Sequence, residues 1–514
     1  MKYPIGIQQF EKLREEGWVY VDKTSHIHQL VSKGSYYFLS RPRRFGKSLL
    51  ISTLKAYFEG RKDLFQGLAM EQLEQEWRVH PVLHLDLNIE KYASQESLDN
   101  ILETNLVQWE KLYGADPSER SFSLRFAGII RRAYEKTGER VVILVDEYDK
   151  PLLQAISNKS LQDEYRATLK SVYGALKTMD GCIRFALLTG VTKFSKVSVF
   201  SDQNNMEDLS MNTAYYDLCG ISEQELHDVF DEEVGELAKA NGQTKEEAYE
   251  MLKQRYDGYH FAPDTLGMYN PFSVLLTLKN RQYGSYWFST GTPTYLVELM
   301  KEVDMNPTEL SGYEASASEL DSVQIMVDNP IAVLYQSGYL TIKDYDRSVR
   351  LYTLDYPNEE VKEGFVSFLM PYYTPISQND SPSFVGKFVR EVRNGKVDAF
   401  MLRLKALMAD TPYELIRDLE VHYQNVMFIF TKLMGLYVQA EYRTSRGRID
   451  LTIGTDKYVY IIELKLDGSA EEALAQINEK DYALPFAVDG REIVKIGANI
   501  TSETRNLERW VVEG

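Results

Sequence analysis

Apolar and polar positions along the first 220 residues predict strands and helices in alternation. Short uninterrupted apolar runs, such as VVILVDE, are typical of strands buried on both faces of a parallel sheet. Longer stretches between these runs carry apolar residues at helical spacing. The predicted strands are 36–40, 82–87, 141–147 and 183–190, and the predicted helices are 48–59, 96–113, 121–137 and 159–178. This part of the chain is therefore predicted to be an α/β domain with a parallel sheet.

The pattern becomes mainly helical from residue 222. Ser222 and Glu225 form a capping box that opens an amphipathic helix, and further helical segments follow. Residues 319–356 contain a helical run and then two alternating strands, which is a winged-helix-like order. The segment TPISQNDSPS is rich in turn-forming residues and is the predicted linker. The chain is thus divided into four predicted regions, at 1–221, 222–300, 301–380 and 381–514, the last being a C-terminal α/β domain.

Composition narrows the class of protein. The hydrophobic fraction of 44% is typical of a globular chain, and the net charge of −18 opposes non-specific coating of nucleic acid, although a local basic groove would still bind it. Two cysteines, Cys182 and Cys219, argue against a disulfide framework or a cysteine zinc site. No long apolar segment or N-terminal secretory pattern is present. We therefore expect a cytoplasmic protein that does not enter a membrane.

A phosphate-binding loop is predicted between the first strand and the helix at 48–59. The segment RPRRFGKS ends as the pattern G-x-x-x-x-G-K-[ST] does, but Arg41 stands in place of its first glycine. In such loops main-chain N–H groups wrap the phosphates, the lysine reaches the β- and γ-phosphates, and the serine hydroxyl binds Mg²⁺. The residues assigned to ATP binding here are Arg41, Arg43, Arg44, Phe45, Gly46, Lys47, Ser48 and Leu49.

Three positions in this loop bear on how it would hold phosphate. Pro42 has no N–H to offer, so an arginine is the natural substitute for one phosphate contact. Arg43 and Arg44 either contact phosphate, tie the loop to the acidic turn at 146–149, or face a neighbouring subunit.

Two carboxylates end the buried strand at 141–147. Asp146 fits the Walker B acid that holds Mg²⁺ together with Ser48, and Glu147 fits the base that orients and deprotonates the attacking water. The additional strand at 82–87 is typical of ATPases in which a catalytic glutamate follows Walker B. Thr189 ends the next strand, where it either senses the γ-phosphate or caps the strand, and Lys193 lies close behind it.

Seven segments within the first 300 residues resemble the AAA-ATPase-like family of bacterial proteins. They are GWVYVDKT, RPRRFGKS, ILVDEYDKPL, LTGVTKFSKVSVFS, YDGYHF, YNPFS and YWFSTGTP. The resemblance implies an ATP-binding core followed by a helical lid at 222–300, and it makes Arg41 an ordinary residue for its position. It further implies that Asp22 and Lys23 lie near the nucleotide. The role of Asp149, in the same D-E-Y-D motif, stays open.

A second group of charged residues lies in the strand-rich tail. Asp450 is in GRIDLTI, and Glu463 and Lys465 are two residues apart in YVYIIELKL, so they share one face of a strand. A hairpin through 454–457 is expected to bring Asp450 beside them. Carboxylate oxygens suit Mg²⁺, and the lysine would neutralise developing charge or position the nucleophile.

This D…E-x-K pattern resembles the PD-(D/E)xK nuclease superfamily. A following helix carries Gln476 and Tyr482 with the Q-x-x-x-x-x-Y spacing of many relatives, and an upstream helix offers Glu420 or His422 as a further group. The resemblance implies Mg²⁺, with Mn²⁺ as a substitute, held by Asp450 and Glu463. The residues assigned to catalysis in this domain are Asp450, Glu463, Lys465, Gln476 and Glu420, and a basic patch for phosphate contacts is formed by Arg443, Arg446 and Arg448.

Together these features predict an ATP-hydrolysing protein coupled to a Mg²⁺-dependent nuclease. Its substrate would be DNA or RNA, with DNA favoured, and the ATP state would gate cleavage. An alternative hypothesis is a nucleotide-dependent signalling switch or scaffold, whose nuclease-like domain only binds; the acidic net charge favours it. A third is a ring motor built as a homo-oligomer, for which Arg184 is a poor inter-subunit arginine.

Overall fold

The computed structural model describes most of the chain, in two compact units. The described residues are 1–156, 158–193, 206–287, 296, 310–321, 330–373, 381–409, 426, 430–431, 439–442, 451–486, 490–504 and 506–514. One unit comprises Met1–Val303 and Gly312–Glu360, and the other comprises Asp304–Ser311 and Val361–Gly514. The four boundaries drawn from the sequence stay predictions. Within the described ranges, no helix has the length and hydropathy needed to cross a membrane.

The first unit is built on a parallel five-stranded sheet. Its strands are β1 (Tyr36–Ser40), β2 (Val82–Asp86), β3 (Val141–Asp146), β4 (Ile183–Gly190) and β5 (Glu207–Asp208), in the order β2-β3-β4-β1-β5. All six residues of β3 are buried, as its β-branched, uncharged run predicts. The predicted parallel sheet is confirmed, and the short edge strand β5 is an addition. Because all strands are parallel, β1, β3 and β4 end on one edge, where ligands of such sheets bind.

Eight helices are described along the chain up to residue 178. They are α1 (Phe10–Glu15), α2 (Thr24–Lys33), α3 (Lys47–Phe58), α4 (Ala69–Leu73), α5 (Gln95–Tyr113), α6 (Phe122–Thr137), α7 (Lys150–Gln154) and α8 (Lys159–Thr178). The four predicted helices correspond to α3, α5, α6 and α8 within two residues at each end. Ser121 and Asn158 cap α6 and α8 through their side chains, which explains where these helices begin.

A helical region follows in the same unit. It contains α9 (Glu223–Asn241), α10 (Lys245–Tyr256) and α11 (Pro271–Asn280). Capping boxes open α9 at Ser222 and α10 at Thr244, and the first of these is the one predicted from the sequence. Apolar side chains from the three helices form one buried cluster, which fixes α11 at the position it takes beside the sheet edge.

The predicted hairpin is present and belongs to a three-stranded sheet. Strands β7 (Thr341–Asp346) and β8 (Leu351–Asp355) are antiparallel, and β6 (Tyr313–Ser316) pairs with the other edge of β8. The sequence analysis did not foresee β6. Two short helices, α12 (Ala317–Asp321) and α13 (Ile331–Gln336), lie between β6 and β7 along the chain.

The second unit contains a mixed sheet and its helices. The helices are α14 (Glu359–Tyr373), α15 (Ser381–Arg393), α16 (Val397–Ala409) and α17 (Ala470–Glu479). The boundary between the two units falls within the first turn of α14, between Glu360 and Val361. The strands β9 (Gln439–Tyr442), β10 (Leu451–Gly454), β11 (Tyr458–Leu466), β12 (Glu492–Thr501) and β13 (Asn506–Glu513) are ordered β13-β12-β11-β10-β9. Strands β11 and β12 are parallel, and the other pairs are antiparallel. The predicted linker lies largely outside the described residues.

Candidate nucleotide site and candidate nuclease site

The loop between β1 and α3 has the geometry of a phosphate cradle. Gly46, immediately before α3, has φ +97°, a left-handed conformation that favours glycine, and the main chain of Arg44 is also left-handed at φ +69°. The amino group of Lys47 is buried and lies 3.1 Å from the carbonyl of Arg41 and 3.4 Å from that of Pro42. The lysine is therefore held inside the loop by neutral oxygens, which a phosphate would replace.

The two carboxylates at the end of β3 take different positions. Asp146 is buried, and its Oδ1 accepts hydrogen bonds from Thr189 Oγ1 at 2.6 Å and from the N–H of Glu147 at 3.1 Å. Glu147 follows the strand with φ +52°, and its carboxylate lies 3.5 Å from the Nζ of Lys47. The left-handed turn thus directs Glu147 to the phosphate loop, while Thr189 holds Asp146 in place. Of the two roles left open for Thr189, the observed contact is to this carboxylate.

Asp149 organises the chain that follows β4. It is completely buried and accepts hydrogen bonds from the main-chain N–H groups of Val191 and Thr192, and from the Thr192 hydroxyl at 2.7 Å. Burial and the nearby Glu147 raise the pKa of Asp149 to about 6. A Cβ on Gly190 would lie 2.5 Å from this carboxylate, so the contact requires glycine there. The last acid of D-E-Y-D is therefore a structural support for the loop after β4.

These groups open onto a cleft of about 870 Å³, a size typical of small-ligand sites. The phosphate loop contributes Arg43, Arg44, Gly46, Lys47, Ser48 and Leu49 to its walls, together with Glu147. A second wall consists of Pro4–Gln8 and of Pro271, Phe272 and Leu275 on α11. A third wall includes Asn88, Lys91 and Lys150. Sequence reasoning missed the N-terminal segment and the third wall, although Lys150 directly follows D-E-Y-D.

The two arginines in the middle of the loop both meet the helical region. The guanidinium of Arg44 lies 4.9 Å from the ring of Phe272, and the carbonyl of Arg43 accepts a hydrogen bond from Trp287 Nε1 at 3.1 Å. Phe45 packs edge-to-face on Tyr259, between α10 and α11, with ring centroids 4.7 Å apart. The loop is therefore supported from the helical side at three successive residues.

Arg41 does not lie among the cleft's lining residues. It is 1% exposed and donates to the carbonyls of Ser40 and Ser210 at 2.9 Å and of Tyr215 at 3.2 Å, and its guanidinium stacks 4.1 Å over the ring of Phe261. Burial lowers its pKa from the ordinary value. The Arg41 side chain therefore ties the start of the loop to the segment around Ser210 and Tyr215, and a glycine has no side chain that could do so.

Asp22 and Lys23 also lie outside the lining of the cleft. Asp22 accepts hydrogen bonds from Thr24 at the start of α2 and from the N–H of Ala69 at 2.7 Å, so it joins α2 to α4. Lys23 forms an ion pair with Glu225 at 2.6 Å. Lys193, behind Thr189, is paired with Asp208. The structure thus gives these charged residues partners within the protein.

In the second unit, β11 and α17 bring three predicted residues together. Glu463 is 3% exposed, and its Oε1 accepts a hydrogen bond from Gln476 Nε2 and lies 3.5 Å from the Nζ of Lys465. Lys465 in turn donates to Gln476 Oε1, and Gln476 lies 3.4 Å from the hydroxyl of Tyr482. Glutamate, lysine, glutamine and tyrosine therefore form one connected group.

A glycine on the neighbouring strand makes this group possible. Gly497 on β12 is the register partner of Glu463, and a Cβ there would lie 2.2 Å from the carbonyl of Ala470 and 2.4 Å from the N–H of Leu474. Only glycine lets α17 lie this close to the sheet, which places Gln476 beside Glu463. A capping box at Ser469 fixes where α17 begins. Sequence reasoning missed Gly497, because one glycine in a strand carries no local signal of the helix above it.

Comparison with known proteins agrees with both domain assignments. The family model described as predicted AAA-ATPase matches residues 4–200, and that of the PD-(D/E)XK nuclease superfamily matches residues 418–510. A protein from Azotobacter chroococcum mcd 1, named only as an uncharacterized protein in the vnfD 5' region, is 35% identical over 529 positions, covering all of this chain and 99% of its own. The chain belongs to the predicted AAA-ATPase family. It carries a C-terminal domain of the PD-(D/E)XK nuclease superfamily. No solved structure matches it.

The residues of this AAA-ATPase fit a Mg²⁺-bound nucleoside triphosphate. The loop has the left-handed glycine that a phosphate cradle needs, Ser48 lines the cleft, and within the described structure the hydrogen bonds to Asp146 end on Oδ1. A hydroxyl and a carboxylate are the protein ligands that Mg²⁺ takes in P-loop sites. In the described parts of the chain, no group of three or more His, Cys, Asp or Glu side chains is placed to hold a metal ion.

Part of the predicted nuclease site cannot be compared with the structure. Glu463, Lys465 and Gln476 are described, as is the hairpin of β10 and β11, in which Leu451 is paired with Ile462. The remaining residues of the prediction lie outside the described ranges. They are Asp450, Glu420, His422, Arg443, Arg446 and Arg448.

Proposed function

We propose that this AAA-ATPase binds and hydrolyses ATP in the cleft beside the phosphate loop. The observation that carries the proposal is the convergence of Lys47 and Glu147, 3.5 Å apart, at the end of β3. The lysine would bind the β- and γ-phosphates, and the carboxylate would orient and deprotonate the attacking water. Arg43 and Arg44 add positive charge along the same wall. Bound Mg²⁺ would neutralise phosphate charge, with Ser48 and Asp146 as its protein ligands.

The remaining walls suit the rest of the nucleotide. Pro4, Ile5, Ile7, Phe272 and Leu275 contribute apolar surface to the lining of the cleft. An adenine ring would be held there between the N-terminal segment and α11, which belongs to the helical region predicted as a lid. Binding would thus draw on groups from the N-terminal segment and from the helical region, and this supports a helical region that responds to nucleotide.

We further propose that the C-terminal domain is a Mg²⁺-dependent nuclease whose activity depends on the ATP state. The connected group of Glu463, Lys465 and Gln476 supports this proposal, since such a superfamily needs an acid for the metal and a lysine near the scissile phosphate. Bound Mg²⁺ would lower the pKa of the attacking water and stabilise the leaving oxygen, with Mn²⁺ as a substitute. Lys465 would orient the water, and Gln476 would keep Lys465 beside Glu463. Asp450 completes the proposed site, and DNA is the preferred substrate.

ATP hydrolysis and DNA cleavage test the two proposals separately. Phosphate release is expected to fall by roughly 100-fold in Lys47→Ala and Glu147→Gln. Lys55→Ala, on an exposed turn of α3, is the matched control and should keep the wild-type rate. If phosphate release survives in both Lys47→Ala and Glu147→Gln, the ATPase proposal is wrong.

The nuclease test uses plasmid, linear and single-stranded DNA, and an RNA of the same sequence, each with Mg²⁺ and with or without ATP. Lys465→Ala should abolish cleavage, whereas the exposed Lys480→Ala should not. Glu147→Gln, which is expected to bind ATP without hydrolysing it, reports whether binding or hydrolysis gates cleavage. Absence of any cleavage, together with DNA binding that Lys465→Ala leaves unchanged, would instead favour a signalling scaffold with a binding module.

A further inference from the structure

Lys150 occupies a position at the cleft that the nucleotide-binding motifs do not explain. It is the first residue of α7 and follows the D-E-Y-D turn that contains Glu147. Its Nζ lies 2.6 Å from the carbonyl oxygen of Asn88 and 2.6 Å from the Oδ1 of the same residue. Asn88 comes just after β2, which is the neighbour of β3 in the sheet. Lys150 therefore lies on the wall of the cleft beside the carboxylate that faces Lys47.

The acceptors of Lys150 are neutral oxygens. Asn88 is itself held by a hydrogen bond from its N–H to Asp86 Oδ1 at 2.8 Å, so its carbonyl and amide oxygens are presented in a fixed position. Two other lysines of this unit, Lys23 and Lys193, are instead paired with carboxylates. An ammonium group held by neutral oxygens keeps its charge available for an anion, and exchanging one such hydrogen bond costs only about 1 kcal/mol.

The charge of the cleft suits a polyanion even though the whole chain carries −18. Among its described lining residues the basic ones are Arg43, Arg44, Lys47, Lys91 and Lys150, and the acidic one is Glu147. Phosphoryl transfer gains most from cations placed where negative charge develops on the transferred group. Many ATPases receive that cation as an arginine from another subunit or partner. Lys150 offers a cation within the same chain.

We propose that Lys150 is a catalytic residue whose ammonium group contacts the γ-phosphoryl group of the bound nucleoside triphosphate. This inference rests on the proposed ATPase function. During hydrolysis the water oxygen forms a bond to the γ-phosphorus, and the bond from that phosphorus to the β–γ bridging oxygen breaks. The electron pair of the broken bond leaves with the diphosphate, and the proton of the water goes to Glu147. Lys150 exchanges the oxygens of Asn88 for γ-phosphate oxygens and neutralises the charge that accumulates on them.

The test separates triphosphate from diphosphate recognition. Lys150→Met keeps the apolar stem and removes the charge. In the full-length protein with Mg²⁺, titration calorimetry should show that Lys150→Met binds AMP-PNP about 10-fold more weakly and ADP within about 2-fold of wild type. Phosphate release should fall by roughly 100-fold or more. Lys150→Arg should keep most of the preference for the triphosphate, and Lys159→Ala, an exposed lysine on α8, should match the wild type in all three measurements.

Each outcome decides the inference. It is overturned if Lys150→Met binds AMP-PNP and hydrolyses ATP as the wild type does, or if ADP and AMP-PNP lose affinity equally, which would indicate a structural role. It is also overturned if Lys150→Arg is as defective as Lys150→Met in a folded protein. Lys47→Ala separates the two proposals: if it is inactive while Lys150→Met is normal, only the inference fails. If the wild type binds neither nucleotide, the ATPase function fails and the inference with it.

Discussion

The indole Nε1–H of Trp287 donates a hydrogen bond to the main-chain carbonyl of Arg43 at 3.1 Å. Arg43 lies in the phosphate loop, and Trp287 lies 244 residues further along the chain. The main-chain N–H of Trp287 donates at 2.8 Å to Oε1 of Glu360, in the first turn of α14. One residue thus links the phosphate loop to a buried carboxylate of the same unit. A nucleotide that moves the loop would act on this link.

Replacing Trp287 by phenylalanine removes the N–H donor and keeps an aromatic ring against Tyr339, which lies 5.1 Å away. We expect the melting temperature of the first unit to fall, by an amount that corresponds to a loss of about 1 kcal/mol in the free energy of unfolding, because the carbonyl of Arg43 loses its donor. ADP affinity, measured by titration calorimetry, should fall severalfold because the loop is less well positioned. Trp18→Phe is the control, since its N–H bonds the exposed Glu16, where water can replace it. Equal melting temperatures and equal ADP affinities in Trp287→Phe and Trp18→Phe would contradict the prediction.

Glu360 should make the stability of the first unit dependent on pH. Burial raises the pKa of Glu360 from 4.5 to about 7, although hydrogen bonds from Trp287 and from Ser273 Oγ favour its charged form. Between these two pH values the folded state binds more protons than the unfolded state, so the free energy of unfolding falls as pH rises through this window. The loss from this group across the whole window is on the order of 3 kcal/mol.

The variant Glu360→Gln is expected to flatten that dependence, because a neutral amide does not titrate. Calorimetric unfolding of the full chain at pH 5, 6, 7 and 8 measures the effect. Glu359→Gln, at the exposed neighbouring position, should keep the wild-type slope. A Glu360→Gln curve parallel to that of the wild type would show that Glu360 is not the titrating group.

Asp149→Asn should destabilise the first unit by about 2 kcal/mol or more, because an amide NH₂ would face donors that now bond a carboxylate. The donors are the N–H groups of Val191 and Thr192 and the Thr192 hydroxyl. The melting temperature and the rate of limited proteolysis measure this effect. Asp163→Asn breaks an exposed ion pair with Arg166 and should change either quantity very little. A melting temperature of Asp149→Asn equal to that of Asp163→Asn would show that Asp149 does not support the loop after β4.

Gly497→Ala should disrupt the group formed by Glu463, Lys465 and Gln476. The new Cβ would meet the main chain of Ala470 and Leu474 at 2.2 and 2.4 Å, so α17 has to move away from the sheet. Overpacking of this kind costs about 1 to 3 kcal/mol, and any DNA cleavage should be lost through displacement of Gln476. Gly386→Ala is the matched control, because nothing lies within 4 Å of its added Cβ and it is in a helix. Full cleavage by folded Gly497→Ala would contradict this account of Gln476.

Much of the architecture follows from local patterns. The run VVILVDE predicted a buried parallel strand, and β3 is buried along its whole length. The capping box at Ser222 and the alternation around 341–355 likewise correspond to a helix start and a hairpin. Such patterns are reliable because helix and strand periodicity act between residues close in sequence. The shared strand face of Glu463 and Lys465 also follows from their spacing, whereas the position of Gln476 beside them does not.

Other features depend on contacts that no local pattern reports. The sequence assigned Arg41 to ATP binding, and only packing decided that its side chain lies outside the lining of the cleft and bonds the carbonyls of Ser210 and Tyr215. It placed Lys150 directly after the D-E-Y-D motif, and only the order of strands in the sheet brought Asn88 to its ammonium group.

By itself, the sequence determined a G-K-S loop between a strand and a helix, a buried strand that ends in two acids, and a strand with the E-x-K pattern, because each is encoded within about ten neighbouring residues. The tertiary structure decided which side chains meet at those places. It brought Trp287 to Arg43 and made Gly497 the residue on which the position of α17 depends. The physical reason is that side-chain direction and close approach are set by packing between distant segments, where one Cβ or one buried donor decides the outcome.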